Sequence, residues 1–449
     1  MTNLIKKASI FNLGCKVNQA ECDYICAFLN TRGIICINRL DNDSDIYIVN
    51  TCAVTNEAER KSRQIISRIR AVNIDAPIVI IGCASATNIE FYIKKKVCAV
   101  AGARKKSLVL KFLEDLIEQK LYINACANGA SKKYLEDYKP YIIEDSFFKS
   151  QKTYDEFNLP PVTNRSRAYV KIQDGCNNYC SYCIIPYLRG ESRSRTVDNI
   201  MKEVLNISRN AREIVITGIN LSSYGQDNNM RLSTLFQELS KVNSRIRIGS
   251  FYAEAIDEEL LEVLKQMPNF CEHFHLSLQS GSNRILKMMN RHYTSQDYVD
   301  KVELIRLYFP LASITTDIIV GFPNETDEDF NKTTDLVTEI GFSDLHIFPF
   351  SPRPLTQAGM LTSLPPIIIE NRRQKLFQIR EQLKKAYLTK MIKYPHNVIF
   401  EQELGDGISF GHSEYYIKVY AKTNVTQGIV NATKLYKDGL IGAVTNNCV

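Results

Sequence analysis

The residues with the clearest chemical potential are cysteines. Gly175-Cys176-Asn177-Asn178-Tyr179-Cys180-Ser181-Tyr182-Cys183 sets three thiols in a C-x3-C-x2-C run on one short segment. Three thiolates on a tight loop can ligate three irons of a cubane and leave the fourth iron open. Structural zinc is the alternative, but that ion takes four protein ligands, and the nearest further cysteines are Cys126 and Cys271. Spacing and the missing fourth ligand therefore favour an iron-sulfur cluster. A second set, Cys15, Cys52 and Cys83, is separated by 37 and 31 residues. These three could form another open three-ligand site, or could simply be small buried residues. Cys22, Cys26, Cys36, Cys98, Cys126, Cys271 and Cys448 carry no assigned chemistry. Cys22 and Cys26, one helical turn apart, are the pair most easily mistaken for ligands.

The elements that must position these thiols can be read from hydrophobic periodicity. Short apolar runs at Ser9 to Leu13, Ile46 to Val49 and Ile78 to Ile81 each lead into a turn and one cysteine of the dispersed set. Helical patterns from Ala20 to Thr31 and from Glu57 to Ala71 separate them, which predicts a β-α-β-α-β parallel sheet. Parallel sheets bind ligands at the carboxyl ends of their strands, where all three cysteines fall. Strand-like runs recur at Tyr169 to Gln173, Glu213 to Thr217, Arg245 to Ile248, His273 to Leu278, Ser313 to Val320 and Leu345 to Phe350. Amphipathic stretches at Asp198 to Arg209, Leu232 to Val242, Asp257 to Gln266 and Glu328 to Ile340 alternate with them. This pattern suits an open (β/α)6 barrel that starts just before the cysteine run. A charged helix from Ile369 to Ile392 then leads into strands at Val398 to Glu403, Tyr415 to Ala421, Gly428 to Leu435 and Gly439 to Val444, spaced like a small antiparallel barrel of a kind that often binds nucleic acid.

The expected class is α/β with four segments: an N-terminal parallel α/β domain (1–123), a linker (124–164) ending in Leu159-Pro160-Pro161, the barrel (165–390) and the C-terminal β-barrel (391–449). The chain has 449 residues, 45% hydrophobic and 23% charged, which excludes a disordered or fibrous protein. No apolar run approaches the roughly 20 residues that span a bilayer. The apolar stretch after Lys6 and Lys7 is interrupted too early for a signal peptide. Cytoplasmic location is expected, and in that reducing compartment thirteen cysteines point to metal or catalysis. A formal charge of +7 permits a polyanionic partner without requiring one.

The cysteine run, down to Tyr182 before its last cysteine, resembles the signature of the radical S-adenosylmethionine enzymes. The resemblance implies that the open iron chelates S-adenosylmethionine, which is reductively cleaved to a hydrogen-abstracting 5'-deoxyadenosyl radical. Tyr182, Gly218, Ser280 and Gly321 are candidate cofactor contacts on that rim, although a strand-end glycine is also an ordinary turn. Leu13-Gly14-Cys15-Lys16-Val17-Asn18-Gln19, the stretch from Asn50 to Gln64, and Pro186-Tyr187-Leu188-Arg189-Gly190 resemble the methylthiotransferase family over almost the whole chain. That family joins an N-terminal cluster domain, a radical S-adenosylmethionine barrel and a C-terminal TRAM domain. The resemblance assigns Cys15, Cys52 and Cys83 to an auxiliary 4Fe-4S cluster beside the radical cluster of Cys176, Cys180 and Cys183. Tyr252-Ala253, Ser277 and Ala84 depart from the family pattern, and none is a cluster ligand.

Within the family, the Gly-Cys-Lys-Val-Asn-Gln start and Thr55 to Gln64 resemble the branch that methylthiolates C2 of N6-threonylcarbamoyladenosine at position 37 of tRNA. The alternatives are the same chemistry on N6-isopentenyladenosine or on a ribosomal-protein aspartate, or an RNA-binding module of TRAM type with a structural metal. The implied partners are a tRNA anticodon stem-loop and an electron donor such as a flavodoxin or ferredoxin, with neither membrane nor DNA. Arg60, Arg63, Arg189, Arg193, Arg195 and Lys418 are candidate RNA contacts, because they lie near the cysteines or in the tail. The Lys94 to Lys106 basic run reads as a solvated face. Arg60 or Arg63 is also expected to meet the carboxylate of the threonylcarbamoyl arm.

Overall fold

Alternating apolar runs and amphipathic helices build three units in the computed structural model, which describes residues 5–87, 89–118, 141–143, 152–157, 161 and 165–446. Cys126, Cys448 and most of the expected linker lie outside the described residues.

In the first unit, β1 (Lys7–Asn12), α1 (Lys16–Asn30), β2 (Ile35–Ile37), β3 (Ile46–Thr51), α2 (Asn56–Val72), β4 (Ile78–Gly82), α3 (Ile89–Lys94), β5 (Ala99–Ala101), α4 (Ser107–Ile117) and β6 (Tyr141–Ile143) follow in order. They form a parallel six-stranded sheet, β2-β1-β3-β4-β5-β6. Strands β3 and β4 are buried on both faces, as Val- and Ile-rich runs in a parallel sheet require. β6 comes from the stretch read as linker and pairs with β5 instead. Helix α2 starts where the Thr55 hydroxyl accepts from Ala58 N–H at 3.2 Å, with Glu57 and Glu59 in its first turn.

The second unit runs through β7 (Arg167–Asp174), α5 (Ile185–Arg189), β8 (Arg193–Ser194), α6 (Val197–Ile207), β9 (Glu213–Gly218), α7 (Leu232–Leu239), β10 (Arg245–Ile248), β11 (Ser250–Phe251), α8 (Glu258–Gln266), β12 (His273–Leu276), α9 (Asn283–Met288), α10 (Ser295–Tyr308), β13 (Ser313–Val320), α11 (Asp327–Ile340) and β14 (Asp344–Pro349). Two four-stranded sheets, β10-β9-β7-β8 and β11-β12-β13-β14, share one strand path, because only Gly249 separates β10 from β11. The barrel is therefore open, with β8 and β14 left as edges. Val170, Ile214, Ile216, Leu276 and Ile318 pack against Leu235, Phe236, Leu260, Tyr298 and Val337 from the surrounding helices.

Helix α12 (Pro366–Met391) leads to β15 (Pro395–Glu403), β16 (Ile408–Ser413), β17 (Lys418–Lys422), β18 (Gln427–Tyr436) and β19 (Gly439–Asn446), which close as β15-β16-β17-β19-β18. β16, with its polar Ser-Phe-Gly-His-Ser sequence, had no strand signal. The closing β17–β19 pair is parallel, so the barrel is not purely antiparallel. Among the described residues no helix is long and apolar enough to cross a membrane.

One carboxylate fastens this small barrel to the larger one. Buried Glu213 accepts from half-buried Arg167 at 2.6 Å and from the buried Arg245 at 2.6 Å and Arg247 at 2.9 and 3.0 Å. The same arginines reach the C-terminal barrel, Arg247 at Ser413 and Glu414 carbonyls and Arg167 at Glu401. Removing one partner from such a group leaves uncompensated buried charge. Glu213→Gln should therefore lower unfolding free energy by about 3–5 kcal/mol in urea titration. Replacing Glu259, which pairs with Arg231 on the surface, should leave the urea midpoint nearly unchanged.

Candidate active site

Each cysteine of the dispersed set ends a strand of the first sheet. Cys15 follows β1 at the N-cap of α1, Cys52 follows β3, and Cys83 follows β4. The thiols are close enough to interact electrostatically with one another. Cys52 and Cys83 are buried, whereas Cys15 is exposed to a cavity of about 580 Å³. Burial pushes the Cys52 thiol up to about 12.

The clustered set begins at Gly175, in a left-handed conformation with φ +74°, where a Cβ would lie 1.9 Å from the Glu191 carbonyl. Only glycine lets the loop fold this tightly, and Cys176 N–H then donates to the Gly190 carbonyl at 3.0 Å. Cys176, Cys180 and Cys183 interact with one another, and burial pushes Cys183 up to about 12. Neither triad, among the described residues, gathers its donor atoms within 4.8 Å of one another. A single tetrahedral zinc with bonds of about 2.3 Å would demand closer thiolates, and a multi-iron cluster spreads them.

The two triads meet across a packed seam. Cys83, Ala53, Ala84 and Ala103 pack against Ile184, Ile185 and Leu188, with Cys183 at the edge. Arg189, fully buried six residues after Cys183, donates from Nε to Cys83 Sγ at 3.3 Å. Its Nη1 donates to Glu21 and to Asp174 at 2.9 Å each. Lys171 joins Glu21 at 3.0 Å and Asp174 at 2.8 Å, and Lys106 lies 3.7 Å from Glu21.

This network corrects the sequence reading of three arginines. Arg189 is committed to Glu21, Asp174 and Cys83. Arg193 is buried, with Nη1 on the Arg189 and Glu191 carbonyls and Nη2 3.5 Å from Asp174. Arg195 is buried against Glu203 at 2.5 Å and Glu156 at 2.9 Å. None presents a guanidinium to a phosphate. Lys106, expected on a solvated face, is buried as well. Arg60 and Arg63 stay on the surface of α2, where they line a groove with Lys61 and Arg68. Neither Arg60 nor Arg63 lines the cavity beside Cys15. Arg60 is bidentate to Glu57 at 2.7 Å. Lys418 lines the cavity and pairs with Asp438 at 3.2 Å.

Among the candidate cofactor contacts, Tyr182 lies beside Cys180, Arg291 and Tyr252, and Gly218 lines the cavity. The Ser280 hydroxyl is turned to Thr333 and to the Ser282 N–H. At Gly321, φ is +74° and a Cβ would meet Ile369 of α12 at 2.5 Å, so packing explains that glycine. Arg291 and Asn220 were missed. Arg291 donates to Cys180 Sγ at 3.6 Å and to the Ser277 carbonyl at 3.1 Å, and lies 3.9 Å over the Tyr252 ring. Two of the positions that depart from the family pattern therefore meet at one arginine. Asn220 donates to Cys176 Sγ at 3.7 Å. A lone arginine and a lone asparagine carry no spacing signal.

The cavity itself runs inside the open barrel from Cys15, Lys16 and Gly218 to Tyr416 of the C-terminal barrel. On its wall, Asp317 holds His275 and His346 at 3.2 Å each, and Thr315 links His275 to His273. Burial and the Arg247 and Arg167 guanidinia bring Lys16 down to about 8.

Comparisons with known proteins place this geometry in context. The Radical SAM superfamily matches residues 170–337, and Uncharacterized protein family UPF0004 matches residues 7–102. Threonylcarbamoyladenosine tRNA methylthiotransferase MtaB of Bacillus subtilis is 33% identical over 95% of this chain and 93% of its own length. A tRNA-2-methylthio-N(6)-dimethylallyladenosine synthase of Thermodesulfovibrio yellowstonii is 33% identical over 86% of this chain and 82% of its own. The radical S-adenosylmethionine methyltransferase TsrM of Kitasatospora setae shares the fold, with TM-score 0.57 at 14% identity over 79% of this chain and 75% of that one.

The seam has a pH signature. Burial raises the Glu21 carboxyl, but Arg189, Lys171 and Lys106 outweigh it and hold the group at about 2, against 4.5 ordinarily. A depressed carboxylate contributes stability above its unfolded value and loses it as pH falls through the folded one. In the metal-free protein, Glu21→Gln should be about 3 kcal/mol less stable than wild type at pH 7. That gap should close between pH 4.5 and 2 in urea unfolding.

Proposed function

The chain belongs to the radical S-adenosylmethionine tRNA methylthiotransferase family, and we propose that it methylthiolates C2 of N6-threonylcarbamoyladenosine at position 37 of tRNA. It is a radical enzyme that uses 4Fe-4S clusters and S-adenosylmethionine. The observation that carries the reading is the buried seam that joins two three-cysteine sets through Arg189.

Cys176, Cys180 and Cys183 would hold the cluster that binds S-adenosylmethionine, and Cys15, Cys52 and Cys83 the auxiliary one. When bound, these groups supply the hydrogen-abstracting radical, the methyl group and the transferred sulfur, with the electron coming from a flavodoxin- or ferredoxin-type donor. The protein's own residues set the surroundings. Arg291 and Asn220 donate to radical-triad sulfurs, and Arg189 donates to Cys83, so each site has a fixed positive partner. Tyr182 and Gly218 would frame the cofactor between them. The α2 groove of Arg60, Lys61, Arg63 and Arg68 suits phosphate. The closed C-terminal barrel, read as a TRAM-type domain, would grip the RNA through surface residues such as Lys418. Eleven described cysteines are free, which suits a reducing cytoplasm.

The dimethylallyladenosine synthases supply a second reading. The cavity favours the first reading, because Lys16, His275, Asp317 and His346 put polar and charged groups on its wall that an apolar isopentenyl arm would desolvate without compensation.

Nucleoside mass spectrometry of tRNA from cells lacking the gene should show loss of 2-methylthio-N6-threonylcarbamoyladenosine alone. Loss of the isopentenyl analogue would establish the second reading instead. Anaerobic reconstitution should give about eight irons per chain, falling to about four when Cys176, Cys180 and Cys183 are together changed to Ala. Stoichiometric zinc without iron would point to an RNA-binding module.

A further inference from the structure

We propose that the cavity beside Cys15 contains a carboxylate-binding subsite anchored by Lys16, and that it receives the terminal carboxylate of the substrate's threonylcarbamoyl arm. This role rests on the threonylcarbamoyl reading of the substrate given above.

Lys16 opens helix α1 next to Cys15, and its side chain lines the cavity into which Cys15 is exposed. Among the described residues its ammonium has no hydrogen bond or ion pair. The other lysines that line the same cavity are engaged, Lys384 by Asp344 and Lys418 by Asp438, each at 3.2 Å. A solvated lysine without a partner is common on a surface. One half-buried in a concave site, beside a proposed cluster ligand, lacks the anion that would offset its desolvation.

The surroundings favour an incoming anion. Arg247 and Arg167 are the strongest charges near Lys16; with Arg245 they share the Glu213 carboxylate, and Arg167 also meets Glu401. This side of the cavity therefore carries more positive than negative charge. Of the carboxylates that line the cavity, Asp317 is held by His275 and His346, Asp344 by Arg380 and Lys384, and Asp438 by Lys418. An RNA phosphate stays on the strand outside, so the carboxylate of the N6 arm is the anion that an inserted base would bring with it. The arm's carboxylate on Lys16 would hold the base beside Cys15, and an isopentenyl arm could not form that pair.

S-adenosylmethionine also carries a carboxylate, and the experiment must separate the two sources. Anaerobically reconstituted wild type, Lys16→Met, Lys16→Gln and Lys16→Arg are compared on two anticodon stem-loops. One bears the threonylcarbamoyl acid, and in the other the carboxylate is replaced by a carboxamide. Equilibrium binding by fluorescence anisotropy and kcat/KM are both read, with S-adenosylmethionine affinity measured alongside. The acid-to-amide ratio is internal to each variant and so is independent of how completely its clusters load. Wild type should prefer the acid by about 10- to 100-fold, as a charged hydrogen bond would provide. Lys16→Met and Lys16→Gln should bring the ratio near one without weakening the amide, and Lys16→Arg should restore most of the preference.

Retention of the wild-type ratio in both neutral variants would overturn the subsite while leaving the substrate reading intact. Weaker S-adenosylmethionine binding with an unchanged ratio would assign Lys16 to the cofactor and also overturn it. A wild-type enzyme that ignores the threonylcarbamoyl stem-loop and modifies the isopentenyl one would remove the substrate reading and the subsite together.

Discussion

The contact of Arg189 with Glu21, Asp174 and Cys83 is the one on which both cysteine sites depend. Glu21 lies six residues after Cys15 on α1, Asp174 two before Cys176, and Arg189 six after Cys183, so one guanidinium ties together the chain segments of both triads. Around it, Lys106, Lys171, Arg189 and Arg193 face only Glu21 and Asp174 among buried carboxylates. Buried positive charge in excess is costly unless an anion completes it. Besides those carboxylates, Arg189 faces the cysteines themselves, Cys83 foremost and Cys15 also. Metal binding deprotonates such thiols. A loaded N-terminal site would thereby help balance the seam.

The same seam explains the composition of α1. A helix on the outside of a sheet shows one apolar stripe, but α1 is buried on two sides. Cys22, Ile25, Phe28 and Leu29 pack on its own sheet. Glu21 faces the barrel network, and Tyr24 donates to Glu203 and stacks on Phe157 at 4.4 Å. Asp23, raised to about 6 by burial against the pull of Arg165, belongs to the same interface. Polar residues on the second face make the fit directional, because a slip of one residue would strand charges in dry protein. The first unit is thus fixed against the barrel where a hinge would otherwise separate Cys83 from Cys183.

Most of the scaffold was legible because its signals are local. The strand ends that carry Cys15, Cys52 and Cys83, the glycine-led loop of Cys176, and the alternation of the barrel all depend on neighbours within a few residues. The arginines were misread for the opposite reason. Arg189, Arg193 and Arg195 look like a basic patch, yet their partners Glu21, Glu156 and Glu203 come from other elements, up to 168 residues away in the case of Arg189 and Glu21. Arg291 stood out by no pattern and was found only through its contact with Cys180, 111 residues away. β16 escaped because its alternate residues face a barrel only four other strands wide, and Gly411 breaks its apolar pattern. Charge pairing and barrel closure are properties of the assembled chain, and a single sequence does not display them.

The floor of the cavity carries the argument one step further. Tyr416 of the C-terminal barrel is stacked between His273 at 4.8 Å and His412 at 4.9 Å, with Arg247 4.9 Å over its ring. It therefore forms part of the wall of the cavity that Cys15 also lines. Its place is held by the same Glu213 cluster that fastens the two barrels, so the C-terminal barrel cannot shift without unstacking that wall. A separate RNA-binding domain on a flexible tether would raise local substrate concentration but would not fix the reacting base. Here the barrel that would grip the strand also supplies Tyr416 to the cavity. Strand position outside and base position inside would thereby be indexed to each other, which is what a reaction at one ring carbon of one nucleotide demands.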